Sequence, residues 1–175
     1  MERALQSELD ASWGAGAVEV SSAGTGALAG HGMDEHARGR LEQNGYTASG
    51  FLARDLTARI VSEADLVLTA TRSHRAAVAR LHPRALRYVF SFREFAALVG
   101  DVPDDKLRAP ADSARGHILR AVGLAAAQRG FRPPLSDPEA DIVDPYRRPD
   151  EVFTTMTGQI MTSLPVIAQA LGRPC

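Results

Sequence analysis

The residues best suited to chemistry lie in the run Asp141-Ile142-Val143-Asp144-Pro145-Tyr146. A carboxyl group followed by proline sits on a backbone of restricted freedom, and an acid so held can protonate a leaving oxygen or take a proton from water. Tyr146 supplies an aromatic wall beside it, and Asp141 is a second carboxylate three residues upstream. Asp-Pro is also a common turn dipeptide. Chemistry at Asp144 therefore requires a nucleophile or activated water within hydrogen-bond reach.

The remainder of the chain offers few such partners. Cys175 is the only cysteine and the last residue, with no helix N-terminus or cationic nest in Gly172-Arg173-Pro174 to favour its thiolate. It makes a poor nucleophile, and a single cysteine allows no intrachain disulfide, which suits a reducing, cytoplasmic setting. His31, His36, His74, His82 and His117 lack the spacing of a zinc site and are expected at the surface or at helix caps. Neither a G-x-S-x-G elbow nor a P-loop occurs. Gly24-Thr25-Gly26-Ala27-Leu28-Ala29 matches the degenerate dinucleotide fingerprint, but Gly30-His31-Gly32 follows at once and no helix can open there. No cofactor and no metal are expected.

Length and charge bound the context. A chain of 175 residues is expected to form one domain over 1–175 and to bury roughly 70% of its unfolded surface. Twenty basic residues against 21 acidic ones leave no electrostatic footprint for nucleic acid or an anionic membrane. No stretch approaches the roughly 20 apolar residues that span a bilayer.

The elements that must position the acidic loop follow from hydrophobic period. Ala4, Leu5, Leu9 and Trp13 predict a helix over 1–12, and Val18–Ser22 reads as a strand running into the glycine turn. A helix over 33–44 ends at Asn44-Gly45, and 49–64 holds one or two short helical turns. Asp65–Ala70 is a nearly continuous apolar run, the pattern of a strand buried on both faces at the centre of a parallel sheet. A helix over 71–81 capped by Thr71 or Ser73, with Ala77, Val78 and Leu81 inward, stops at Pro83. A strand over 86–90, a helix over 92–99 burying Phe95 and Leu98, a polar loop over 100–110 and a helix over 111–128 follow. Residues 131–150 hold five of the ten prolines and predict an irregular stretch that is either functional or disordered. A helix over 151–171, kinked by Pro165, closes the chain. Strand–helix alternation implies an α/β fold, with the site where the turns after Ser22 and Ala70 meet the proline-rich loop.

Taken in order, these motifs resemble the low-molecular-weight protein tyrosine phosphatases over nearly the whole chain. Ser22-Ala23-Gly24-Thr25 is similar to the family's Ser-Ala-Gly-Thr turn, and Ala53-Arg54-Asp55-Leu56 to its Ala-Arg-Gln-Leu segment. Asp65–Thr69 resembles its third strand, and Asp144-Pro145-Tyr146 its Asp-Pro-aromatic general-acid loop. The resemblance implies a three-layer α/β sandwich around a parallel sheet. It implies hydrolysis of phosphomonoesters through a cysteinyl-phosphate, on a phosphorylated protein or a small phosphomonoester. Asp144 would be the general acid, Tyr146 a substrate contact, and Ser22, Arg54 and Pro145 supporting residues.

Three departures accompany the resemblance. The family's nucleophile sits in a Cys-x5-Arg-Ser loop between its first strand and first helix, and Met1-Glu2 is similar to the region just inside that helix. The expectation is a sheet lacking its first, central strand and a chain inactive as written. Two exposed strand edges would then invite self-association or a binding role as a pseudo-phosphatase. Phe51 stands near the place of a histidine that supports the phosphate loop in animal members, and Arg147 replaces a second aromatic after Tyr146. The related arsenate reductases need further redox cysteines, which this chain lacks.

Overall fold

A computed structural model describes residues 1–174; Cys175 lies outside the described residues. In chain order the elements are α1 (Glu2–Trp13), α2 (Glu35–Gln43), α3 (Ala58–Glu63), β1 (Val67–Thr69), α4 (Arg72–Leu81), a 3-10 turn (Pro83–Arg87), β2 (Val89–Ser91), α5 (Phe92–Gly100), α6 (Asp104–Leu107), α7 (Ala114–Gln128), α8 (Asp137–Ala140) and α9 (Asp150–Leu171).

The helix starts are written in side chains. Asp34, Thr57, Thr71 and Ser113 each accept a hydrogen bond from a first-turn amide of α2, α3, α4 and α7, answering donors that have no intrahelical partner. Ser91 and Glu94 form a reciprocal capping box at the start of α5. Two expected loops hold short helices: α6 in the segment 100–110, and α8, opened by a Ser136–Glu139 capping box, in the proline-rich segment. The helix α9 runs through Pro165 without ending there.

Strands β1 and β2 pair in parallel, Val67 opposite Val89, Leu68 opposite Phe90 and Thr69 opposite Ser91. The period of two sorts them between layers. Leu68 and Phe90 join the larger core, built from α1, α5, α7 and α9, whereas Val67 and Val89 pack with Val61 of α3, Val78 of α4 and Ala85. This is the expected three-layer α/β arrangement. Phe90 and Phe95 meet edge-on at 5.2 Å in the larger core, and both are fully buried.

Three expectations need correction. Val18–Ser22 forms no strand among the described residues. A strand is defined by a ladder, and the polar groups here find a side chain instead: the Gln6 carboxamide donates to Val18 O at 2.9 Å and accepts from Val20 N–H at 2.7 Å. The more buried strand is β2 rather than β1: each pairs along one edge only, but Val89 and Phe90 are fully buried in the two cores whereas Val67 and Leu68 are only partly buried against them. Leu81 is 45% exposed instead of inward, since α4 ends there and its buried contact is made by Val78.

His117 corrects the surface assignment of the histidines: it is 2% exposed. The last carbonyls of α9 lack intrahelical donors, and two aromatic side chains reach them. Trp13 Nε1–H donates to Leu171 O at 2.9 Å and His117 Nε2 lies 3.0 Å from Ala170 O, the rings 5.7 Å apart. The bond to a carbonyl assigns the proton to Nε2 and leaves Nδ1 buried without a partner among the described residues. Burial, first, and the nearby Arg120 charge hold His117 below its ordinary value, against the opposing bond to Ala170.

Two outcomes follow from this packing. Phe95→Ala should cost about 3–5 kcal/mol of unfolding free energy in denaturant titrations, the range for emptying a packed aromatic site. A histidine whose folded pKa is lowered contributes stability that is complete above its unfolded value, near 6.5, and is lost as pH falls through the folded value. Melting temperatures at pH 7.5 and 5.5 should fall for the wild type, and fall less for His117→Gln, which keeps a donor for Ala170 but cannot titrate.

Candidate functional site

The proline-rich loop is fastened to the carboxyl end of β1. Ile142 N–H donates to Ala70 O at 2.9 Å, Ile142 is buried, and Arg93 Nη1 donates to Pro138 O at 2.7 Å and Asp141 O at 3.2 Å. Asp141 itself accepts from the Arg72 amide at 2.8 Å, a first-turn donor of α4 that Thr71 leaves free. The second carboxylate of the loop is thus a brace between two elements.

Beyond this anchor the chain emerges into solvent. Val143 N–H donates to Gln159 Oε1 at 2.9 Å, the last inward tie. Asp144 is exposed, and its Oδ1 accepts from the Tyr146 amide at 3.0 Å, an Asx turn that fixes the carboxyl group relative to Pro145. Tyr146 is 63% exposed. Arg147 adopts φ 56° and places its guanidinium 5.1 Å from the Tyr146 ring centroid. A non-glycine residue in that left-handed region carries backbone strain, here at the residue standing in place of a second aromatic.

The Ser22 turn and the Arg54 segment form the second group. Gly24 N–H donates to Arg54 O and Leu56 N–H to Gly24 O, both at 2.9 Å, making an isolated parallel bridge. Arg54 Nε–H donates to Ser22 O at 2.7 Å, and Ser22 Oγ–H donates to Glu2. Phe51 is half-buried and its amide closes a local turn on Ala48 O at 3.1 Å. Among the described residues no hydrogen bond or ion pair links Ser22 or Arg54 to Asp144, Pro145 or Tyr146. The structure therefore assembles the predicted residues in two groups: Ser22 with Arg54, and Asp144 with Pro145 and Tyr146. Neither of two surface clefts, of about 440 and 210 Å³, is lined by a residue of either group. Among the described residues no cluster of three or more His, Cys, Asp or Glu side chains could hold a metal ion.

Comparison with known proteins decides the family. A profile described as low molecular weight phosphotyrosine protein phosphatase matches residues 1–115. The chain belongs to this family. A low-molecular-weight protein-tyrosine-phosphatase of Klebsiella pneumoniae is 25% identical over 152 residues, 87% of this chain and 77% of its own length. The protein-tyrosine-phosphatase EpsP of Ralstonia solanacearum is 32% identical over 105 residues, 60% of this chain and 72% of its own. Among solved structures, the Erwinia amylovora tyrosine phosphatase amsI superposes with a TM-score of 0.66 at 20% identity, over 98% of this chain and 83% of that one. The tyrosine phosphatase Wzb from Escherichia coli K30, in complex with sulphate, gives 0.65 at 24% identity, over 98% and 87%. A Geobacillus stearothermophilus arginine phosphatase, YwlE, gives 0.65 at 20%, over 97% and 81%. These likenesses carry the fold across the acidic loop, which lies beyond the profile match.

Two roles escaped the reading from sequence. Ser136-x-x-Glu139 is a capping-box spacing that marks α8 within the loop, a signal that was available. Asp141 as a cap for α4, 69 residues away, left no local signal. The two loop carboxylates should separate by stability: Asp141→Ala is expected to cost about 0.5–2 kcal/mol, as lost caps do. Asp144→Ala should stay within about 0.5 kcal/mol, as exposed substitutions do. Urea titrations of the two variants check this.

Proposed function

We propose that Asp144 is the general acid of phosphomonoester hydrolysis, partnered by a nucleophilic Cys-x5-Arg-Ser loop that does not occur among residues 1–175. What carries the reading is the Asp144-Pro145-Tyr146 turn, exposed to solvent yet tethered through Ile142 to the end of β1, in a chain of this phosphatase family. In the proposed reaction a thiolate attacks phosphorus, the P–O bond to the leaving group breaks, and Asp144 gives its proton to the departing oxygen. Its carboxylate then takes a proton from the water that attacks the cysteinyl-phosphate, which returns thiolate, phosphate and protonated Asp144.

Substrate class follows from the neighbours only in outline, since they include tyrosine phosphatases, one described with sulphate, and an arginine phosphatase. Tyr146 supports an aromatic phosphate, whereas Arg147, lying over that ring, supports an acidic flank on the substrate. Ser22 and Arg54, joined to each other, support the neighbouring loop rather than touch substrate.

A binding role is the second reading, favoured by the outer edge of β1, which has no ladder partner among the described residues. Such an edge is a template for another strand. Size-exclusion chromatography separates this from a free-standing monomer: concentration-dependent assembly supports edge pairing, and a monomer throughout removes it.

The enzymatic reading is checked by assay with an aryl phosphate. Residues 1–175 alone should show no turnover, because Cys175 is the only thiol. A chain extended by in-frame upstream codons carrying the loop should show turnover, and Asp144→Ala should lower its kcat by about 10²- to 10⁴-fold, the share of general acid catalysis. Turnover by residues 1–175 that disappears with Asp144→Ala would overturn the proposed nucleophile, and an in-frame stop close to Met1 would remove the upstream loop.

A further inference from the structure

The near balance of charge over the whole chain conceals a local excess. Between Asp65 and Glu94 the sequence carries six of the 20 basic residues and no acidic one, so the other 14 are set against all 21 acidic residues. Three of the six arginines are engaged within the fold. Arg72 pairs with Asp137 and Asp141, Arg75 pairs with Glu94, and Arg93 donates to Pro138 O and Asp141 O. Arg80, Arg84 and Arg87 are exposed, and among the described residues their side chains form no ion pair or hydrogen bond.

These three share one end of the molecule with exposed apolar side chains. Helix α4 ends at Leu81, and the 3-10 turn Pro83–Arg87 leads into the amino end of β2. Val78 and Ala85 are the residues that these two elements bury. At three residues per turn, an inward Ala85 puts Arg84 with Arg87 on one outward side and Pro83 with Leu86 on the other. Leu81 is 45% exposed and Leu86 51%. Arg129, just past the end of α7, ties that end to the turn by donating to Leu86 O at 2.9 Å. Phe131, two residues on, is 85% exposed, the barest large apolar side chain among the described residues. A single apolar residue at a surface is ordinary, but several grouped with uncompensated cations mark an interaction surface.

We propose that this end of the molecule docks on an anionic bilayer, with Arg80, Arg84 and Arg87 against the lipid headgroups and Leu81, Leu86 and Phe131 entering the headgroup boundary. Charge complementarity selects an anionic partner. The apolar residues select a bilayer among anionic partners. Leu81 and Leu86 offer no ring on which a nucleic-acid base could stack. None of the six residues lies on a strand or lines either surface cleft, whereas a peptide is gripped in a groove or along a strand edge. No helix among the described residues is long and apolar enough to cross a membrane, so the attachment is peripheral. Because β1 and β2 run parallel, the amino end of β2 lies opposite the carboxyl end of β1, where Ala70 O holds the acidic loop. Docking leaves that loop at the other end of the sheet. The inference does not rest on the catalytic reading of Asp144.

The test is co-sedimentation of the full chain with vesicles of phosphatidylcholine alone and with vesicles in which roughly one lipid in three is phosphatidylserine. Saturable binding to the mixed vesicles is expected, absent from pure phosphatidylcholine and lost as salt rises. Arg80→Gln, Arg84→Gln and Arg87→Gln should each weaken partition about fivefold, the weight of one cation at such a surface. Phe131→Ser, which leaves the charge intact, should weaken it about tenfold. Arg38→Gln, at an exposed position of α2, removes the same charge elsewhere and should leave partition unchanged. Circular dichroism establishes that the variants fold, all five positions being exposed. Absence of binding to the mixed vesicles, equal binding to pure phosphatidylcholine, or an equal loss in Arg38→Gln overturns the proposal. Undiminished binding by Phe131→Ser overturns it too, and assigns the cations to an acidic protein or a nucleic acid.

Discussion

The parallel pairing of Val67–Thr69 with Val89–Ser91 is the constraint on which the rest depends. Its pleat sends Leu68 and Phe90 to one layer and Val67 and Val89 to the other, so three residue pairs specify which helices lie on which side. Both strands are short, and their carboxyl ends are where the chain turns into α4 and α5. Ala70 O, left free as the first strand ends, is the acceptor that captures Ile142 and with it the acidic loop. The exposed carboxyl group of Asp144 is held by the buried residue two positions before it. That division of labour lets a loop be both accessible and ordered.

Local signals made most of the helices legible and left much of the site obscure. Apolar spacing and cap residues act within one or two turns, so α1, α2, α4, α5, α7 and α9 fall within a few residues of expectation. Strands are less local. Val18–Ser22 has the composition of a strand, yet a ladder requires a neighbour, and composition carries no information about whether one is present. His117 shows the same limit: a histidine on a mostly apolar helix reads alike whether it faces water or an orphan carbonyl 53 residues away. Asp144 was legible as a candidate acid from Pro145 and Tyr146, but the anchoring of its loop by Ile142 on Ala70 O, 72 residues away in sequence, left no local signal. Glu94 belongs to the same class, since its capping box was readable and its place between Arg75 of α4 and Arg129 at the end of α7 was not.

Helix α1 shows how a segment without a ladder is still placed. It projects Glu2 and Gln6 toward residues 18–22 and Glu8, from another side of the helix, toward Tyr46. Glu2 accepts from Ser22 Oγ–H, Gln6 takes both a donor and an acceptor from Val18 and Val20, and Glu8 accepts from Tyr46 at 2.7 Å. The last bond, together with burial as the larger cause, pushes the Tyr46 hydroxyl up to about 12. A carboxamide presents one N–H and one C=O at peptide-like spacing, so Gln6 offers the extended chain a single rung in place of a neighbouring strand. One rung positions a segment without the cooperativity of a ladder, and each side-chain bond contributes only about 0.5–1.5 kcal/mol net. The Ser22 turn, and Arg54 which donates to it, are therefore located chiefly by two side chains of one helix, Glu2 and Gln6, and by the Gly24 bridge. This is a softer mounting than the one that carries Asp144, whose loop is anchored at Ile142 in the buried core and at the end of a paired strand.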